Sequence, residues 1–70
     1  MSKRIDARGL SCPQPVVLSA QQVVAGNLDF EIVVDTEVSC ENVRRFLSAK
    51  GYRIARNEED DGIVLRANRS

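Results

Sequence analysis

Seventy residues make one small domain, with no room for a second core. The composition, 43% hydrophobic and 29% charged, is that of a globular chain rather than a disordered one. Ten basic and ten acidic side chains cancel, which argues against a uniformly basic nucleic-acid surface. Two cysteines and no histidine exclude imidazole catalysis, a disulfide-rich scaffold and a zinc site built by one chain alone.

The chain begins Met1-Ser2-Lys3-Arg4 and turns directly into a strand pattern, without an apolar signal region. No apolar run approaches membrane-spanning length, so a cytoplasmic protein with reduced thiols and no membrane contact is expected. In the first strand Ile5 and Ala7 point one way, with Lys3, Asp6 and Arg8 on the other side. A Gly9 turn leads to a helix over 13–25, whose apolar face comprises Val16, Val17, Ala20, Val23 and Val24. Ser19, Gln21 and Gln22 fill its polar side, and Gly26-Asn27 is a C-terminal stop.

Residues 28–35 form the strongest strand pattern, with Leu28, Phe30, Ile32 and Val34 on one face. A second helix is expected over 40–50, capped by Ser39, with Val38 and Val43 as a hydrophobic staple and Val43, Phe46 and Leu47 buried. Residues 52–56 and 63–67 are two further strands, joined through an acidic turn over 57–62 that ends in Asp61-Gly62. The acidic turn lacks the spacing of a calcium loop.

The order β-α-β-α-β-β predicts an α/β (α+β) two-layer sandwich. It has a mixed four-stranded sheet, with both helices on one face if the crossovers are right-handed. Lys3, Asp6, Glu31, Arg53 and Arg66 fit the wet face. Residues 1–70 then make a single domain.

The chemistry concentrates in Cys12-Pro13-Gln14-Pro15. Pro13 sets a helical φ and pushes Cys12 into the extended region of an N-cap. Gln14, itself ahead of a proline, is biased away from helical angles, so the helix starts either at Pro13 or at Pro15. In either register the Cys12 sulfur sits near a positive helix end in a stiffened segment. The Gln14 N–H and the Arg8 cation are candidates to stabilise its anion. No general base accompanies it, which excludes a Cys–His hydrolase. A lone activated thiol suits sulfur exchange: it takes a sulfur atom from a persulfide, holds it as Cys–S–S⁻ and yields it to the next thiol. The alternative is a small, buried, inert cysteine. Cys40 falls on the apolar stripe of the second helix and reads as packed, with a resolving-thiol role as its alternative.

The segment from Asp6 to Val16, Asp-Ala-Arg-Gly-Leu-Ser-Cys-Pro-Gln-Pro-Val, resembles the signature of the TusA/SirA/YedF family of small sulfur carriers. The resemblance spans the whole chain and implies the β-α-β-α-β-β sandwich of that family, as in the C-terminal domain of bacterial translation initiation factor 3. Glu41-Asn42-Val43-Arg44-Arg45-Phe46 and Lys50-Gly51-Tyr52 look most like the YedF branch, linked to sulfur or selenium metabolism. The resemblance implies a sulfurtransferase-like carrier with Cys12 as its persulfide site. Pro13 and Pro15, with Gly9, are its structural supports. The implied partners are a cysteine desulfurase or other sulfur donor and a downstream sulfur-acceptor protein, without a cofactor or metal; in TusA the endpoint is thiolation of a tRNA wobble uridine, and the YedF-like second half argues against direct tRNA binding here. Two other functions fit the same residues: a non-catalytic regulatory or interaction module, and a redox sensor pairing Cys12 with Cys40.

Overall fold

Alternating apolar residues along the middle of the chain produce the strand on which the other elements assemble. A computed structural model describes residues 3–9, 14–60 and 62–69. In chain order these form β1 (Lys3–Asp6), α1 (Gln14–Val24), β2 (Asp29–Val34), α2 (Glu37–Ala49), β3 (Arg53–Glu59) and β4 (Gly62–Asn68). The sheet order is β1-β2-β4-β3, with β1 and β2 parallel and β4 antiparallel to both neighbours. β1, β2 and β3 therefore run the same way, and both helices start at the edge where these strands end.

Phe30, Ile32 and Val34 of β2 are fully buried, as the alternation predicts, and meet Ile63, Leu65 and Ala67 of β4. Cys40, Val43 and Leu47 of α2 close over them, with Tyr52 and Ala7 at the margins. Val16, Leu18 and Val23 of α1 pack against the same cluster, so both helices cover one face of the sheet. Each fully buried Val, Leu, Ile or Phe of β2, β4 and α2 contributes about 1.5–3 kcal/mol of transfer free energy, whereas the partly buried Val16, Leu18 and Val23 of α1 contribute less each.

Several local expectations change, the first at Leu28, which lies ahead of β2 and is 54% exposed. In α1 the buried residues are Pro15, Ser19 and Gln22, whereas Val17 is 42% and Val24 87% exposed. The spacing that starts from buried Pro15 turns Ser19 and Gln22 inward, and both satisfy their polar atoms locally. Ser19 Oγ donates to the Pro15 carbonyl at 3.0 Å, and Gln22 Oε1 accepts from Asn27 Nδ2. The helix starts at Gln14 and ends in a Schellman-type turn, with Gly26 at φ +81° and Asn27 N–H donating to the Gln22 carbonyl.

α2 begins a turn earlier than expected. Thr36 is the N-cap, extended at φ −133°, and its Oγ1 accepts the Ser39 N–H at 3.1 Å. Ser39 is thereby inside the helix, and Val38 is 65% exposed and forms no staple. β3 runs to Glu59, which pairs with Gly62, so the hairpin closes over two positions instead of the longer turn expected. Its exposed, charged residues suit an edge strand, because they discourage pairing with another chain. Finally, Lys3 pairs with Phe30 and so shares the helix side of the sheet, while Arg4, Glu31 and Arg66 share the open face. Lys3 stays exposed because it starts an edge strand.

The open face is not wholly wet. Val33 and Val64, paired across β2 and β4, are buried there. A Cβ added to Gly62 would lie 3.4 Å from Val33 Cγ1 and 3.5 Å from Arg8 Cδ, which places the Arg8 stem beside this apolar pair.

Candidate functional site

β1 delivers the chain to the edge of the sheet where both helices begin. Beyond the strand, Ala7 N–H continues the pairing by donating to the Val33 carbonyl at 2.8 Å. Asp6 then folds the next residue back. It accepts the Arg8 N–H at 3.0 Å and the Arg8 guanidinium through Nε and Nη2, both at 2.9 Å. The guanidinium bonds, reinforced by the backbone bond, pull the Asp6 carboxyl down to about 2. Gly9 follows at φ +75°, a conformation that disfavours any side chain, and its N–H donates to Asp35 Oδ2 at 2.8 Å. The chain is described again from Gln14, the exposed first residue of α1, and Pro15, which is buried.

Cys12 and Pro13 lie outside the described residues. Their flanks are well fastened. Gly9 is tied to the loop after β2, and Pro15 is buried in the first turn of α1, its carbonyl accepting from Ser19 Oγ. Asp35 was not anticipated as part of this site. A lone aspartate after a strand reads as an ordinary turn residue, and nothing in its spacing signals a bond made 26 positions away.

Cys40 occupies the first half of α2 at 2% exposure, its N–H donating to the Thr36 carbonyl. Burial pushes its thiol up, partly opposed by the nearby Arg56 cation. It is a packed residue, as its place on the apolar stripe predicts.

Charge is unevenly distributed. Around the edge where the helices start, the described carboxylates are Asp6, Asp35, Glu37, Glu58, Glu59 and Asp60. Among the cations of this region, Arg8 is held by Asp6 and Arg56 by Glu37, with Nη1 to Oε1 at 2.9 Å. Arg4 lies between Glu31 at 3.1 Å and Glu59 at 3.3 Å. A shallow pocket of about 130 Å³ on the open face is lined by Arg4, Asp6, Arg8, Val33, Glu59 and Gly62. The opposite edge carries Lys3, Lys50, Arg53 and Arg69 against Asp29. Arg69 stacks over Tyr52 there, and Tyr52 packs edge-on against Phe30 and donates its hydroxyl to the Asn27 carbonyl.

α1 carries no charged residue, and Val17, Ala20, Gln21, Val24 and Ala25 line an open apolar depression on its outer side. Among the described residues no helix is long and apolar enough to cross a membrane.

A family model described as sulfurtransferase TusA matches residues 3–67. Among solved structures, the SirA-like protein of Desulfitobacterium hafniense is similar at 27% sequence identity and a TM-score of 0.78. The match covers 91% of this chain and 90% of that one. No curated protein matches.

Proposed function

Because the chain belongs to the TusA sulfurtransferase family, we propose that it is a sulfur carrier that holds its cargo as a persulfide on Cys12 and relays it between proteins. The observation that carries the choice of cysteine is the burial of the other one. The sequence has two thiols, and Cys40 is sealed in the core with its ionisation suppressed. Cys12 follows a turn fastened at Gly9 and precedes a helix, the setting in which a thiolate is stabilised.

The chemistry balances without an external oxidant. The Cys12 thiolate attacks the outer sulfur of a donor persulfide, a new S–S bond forms, and the donor thiolate leaves. An acceptor thiolate then attacks the outer sulfur of the Cys12 persulfide, and the Cys12 thiolate is released. The donor is a cysteine desulfurase or another persulfide-bearing protein, and the acceptor a downstream thiol protein. Placement in the YedF branch rests on residues 41–46 and 50–52 alone.

Incubation with a cysteine desulfurase and cysteine, quenched without reductant, tests the proposal by mass spectrometry. One added sulfur mapped to Cys12 and lost in Cys12→Ser supports it; no gain with several desulfurases refutes it. A second function, an interaction module, is favoured by the uncharged outer face of α1 with its exposed Val17 and Val24. In that case Cys12→Ser leaves partner binding intact and no sulfur is transferred.

A further inference from the structure

We propose that the edge where β1, β2 and β3 begin is a docking surface for an acidic, apolar-bearing segment of a partner protein; the proposal is independent of the sulfur-carrier reading. Of the ten Lys and Arg side chains, Arg4, Arg8, Arg44, Arg45 and Arg56 have ion-pair partners. Among the described residues the other five form no ion pair, and four of them, Lys3, Lys50, Arg53 and Arg69, stand at this edge. All four are exposed, and Asp29 is the carboxylate described among them. Cations gathered in one place without internal partners are what an acidic partner complements.

The surface is tied together by bonds among its own connections. Arg69 N–H donates to the Leu28 carbonyl at 2.7 Å, and the Arg69 guanidinium lies 5.9 Å over the Tyr52 ring, whose hydroxyl donates to the Asn27 carbonyl. Arg53 shares a cross-strand row with Asn68 and Asp29, next to the row of Lys3 and Phe30. The last carbonyls of α2 accept the Lys50, Gly51 and Tyr52 amides, so the side-chain cations set the charge here. Leu28, 54% exposed, adjoins Arg69 through that backbone bond, and Val24 is exposed at the end of α1. Carboxylates would meet the cations while an apolar side chain of the same segment covers Leu28. A single-stranded nucleic acid fits less well, because stacking needs an open aromatic face. Tyr52 and Phe30 are buried edge-on against each other, and Lys50 Nζ lies over Phe46.

The probe is a short capped peptide of alternating glutamate and leucine, titrated into the isotope-labelled chain and followed through its amide NMR shifts. Saturable shifts centred on Leu28, Lys50 to Arg53 and Arg69 are expected. The same peptide with lysine in place of glutamate should leave these amides unmoved, a comparison that needs no variant to fold. Lys3→Gln combined with Arg53→Gln should weaken binding about fivefold, each exposed pair being worth about two- to threefold. Arg44→Gln combined with Arg45→Gln removes the same charge from the side of α2 and should leave binding within about twofold. Equal weakening by the two double variants overturns the proposal, since net charge rather than this edge would then attract the peptide. Shifts centred elsewhere, no shift at millimolar peptide, or equal binding of the lysine peptide overturn it as well. An oligouridylate that moves the same amides and binds more tightly than the glutamate peptide also overturns it and gives the surface to nucleic acid.

Discussion

Replacing Gly62 by alanine adds a steric contact to the backbone strain of a residue at φ +156°. An added Cβ would lie 2.6 Å from the Val34 carbonyl oxygen, against an ordinary contact of at least 3.4 Å. The difference, 3.4 − 2.6 = 0.8 Å, must come from displacing β4 against β2, because the obstructing atom is backbone. Overpacking of this kind costs about 1–3 kcal/mol. A domain of this size has only ~3–5 kcal/mol from its core, so Gly62→Ala removes roughly half of the stability and lowers Tm by about 8–16 °C for a 2 kcal/mol loss. Gly26→Ala is the control. Gly26 also has positive φ, at +81°, but nothing lies within 4 Å of its added Cβ, so only the backbone preference of about 1 kcal/mol is lost. Urea unfolding of both variants, followed by far-UV circular dichroism, gives the two values on one scale. If Gly62→Ala costs no more than Gly26→Ala, the close approach of β4 to the Val34 carbonyl is not what reserves that position for glycine.

Three further outcomes are expected. In a Cys12→Ser background the remaining thiol, Cys40, should react with a bulky disulfide reagent at least about a hundredfold more slowly in native buffer than in urea, since it must be uncovered first; equal rates would contradict its burial. Tyr52→Phe keeps the edge-on contact with Phe30 but loses the hydroxyl bond to the Asn27 carbonyl, and should cost about 1 kcal/mol in urea unfolding; no change would remove that bond from the account. Asp6 has a folded pKa of about 2, below its ordinary 3.8, so its stabilising contribution is present above 3.8 and is lost as pH falls toward 2. Asp6→Asn should flatten the stability curve in that window, and an NMR titration midpoint near 4 for Asp6 would contradict the pairing with Arg8.

The order of elements was legible because the two periodicities are distinct where they matter most. Phe30, Ile32 and Val34 alternate, and Val43 and Leu47 recur on one helical face; all five are fully buried. α1 was harder because valines occupy both of its sides. With no charged residue to mark the solvent face, the pattern did not show that Ser19 and Gln22 turn inward, where bonds to Pro15 and Asn27 make their burial tolerable. The cap of α2 was misplaced because Thr36 and Ser39 are both good capping types, and only the backbone angles at Thr36 distinguish them. The position of β4 between β2 and β3 is a property of the assembled sheet with no local signature. At the candidate site the Cys-Pro-Gln-Pro motif and Gly9 were readable as local chemistry. Asp35 was not, because its partner lies in another connection.

Zero net charge is an average over two dissimilar poles. The poles lie at opposite ends of strands up to seven residues long, roughly 20 Å apart, more than twice the ~8 Å over which physiological salt screens a charge. An approaching macromolecule therefore senses one pole at a time: carboxylate-rich where the helices begin, guanidinium- and ammonium-rich where they finish. Diffusional encounter is sensitive to which way the domain tumbles, and raising ionic strength should erase that preference before it disturbs the fold.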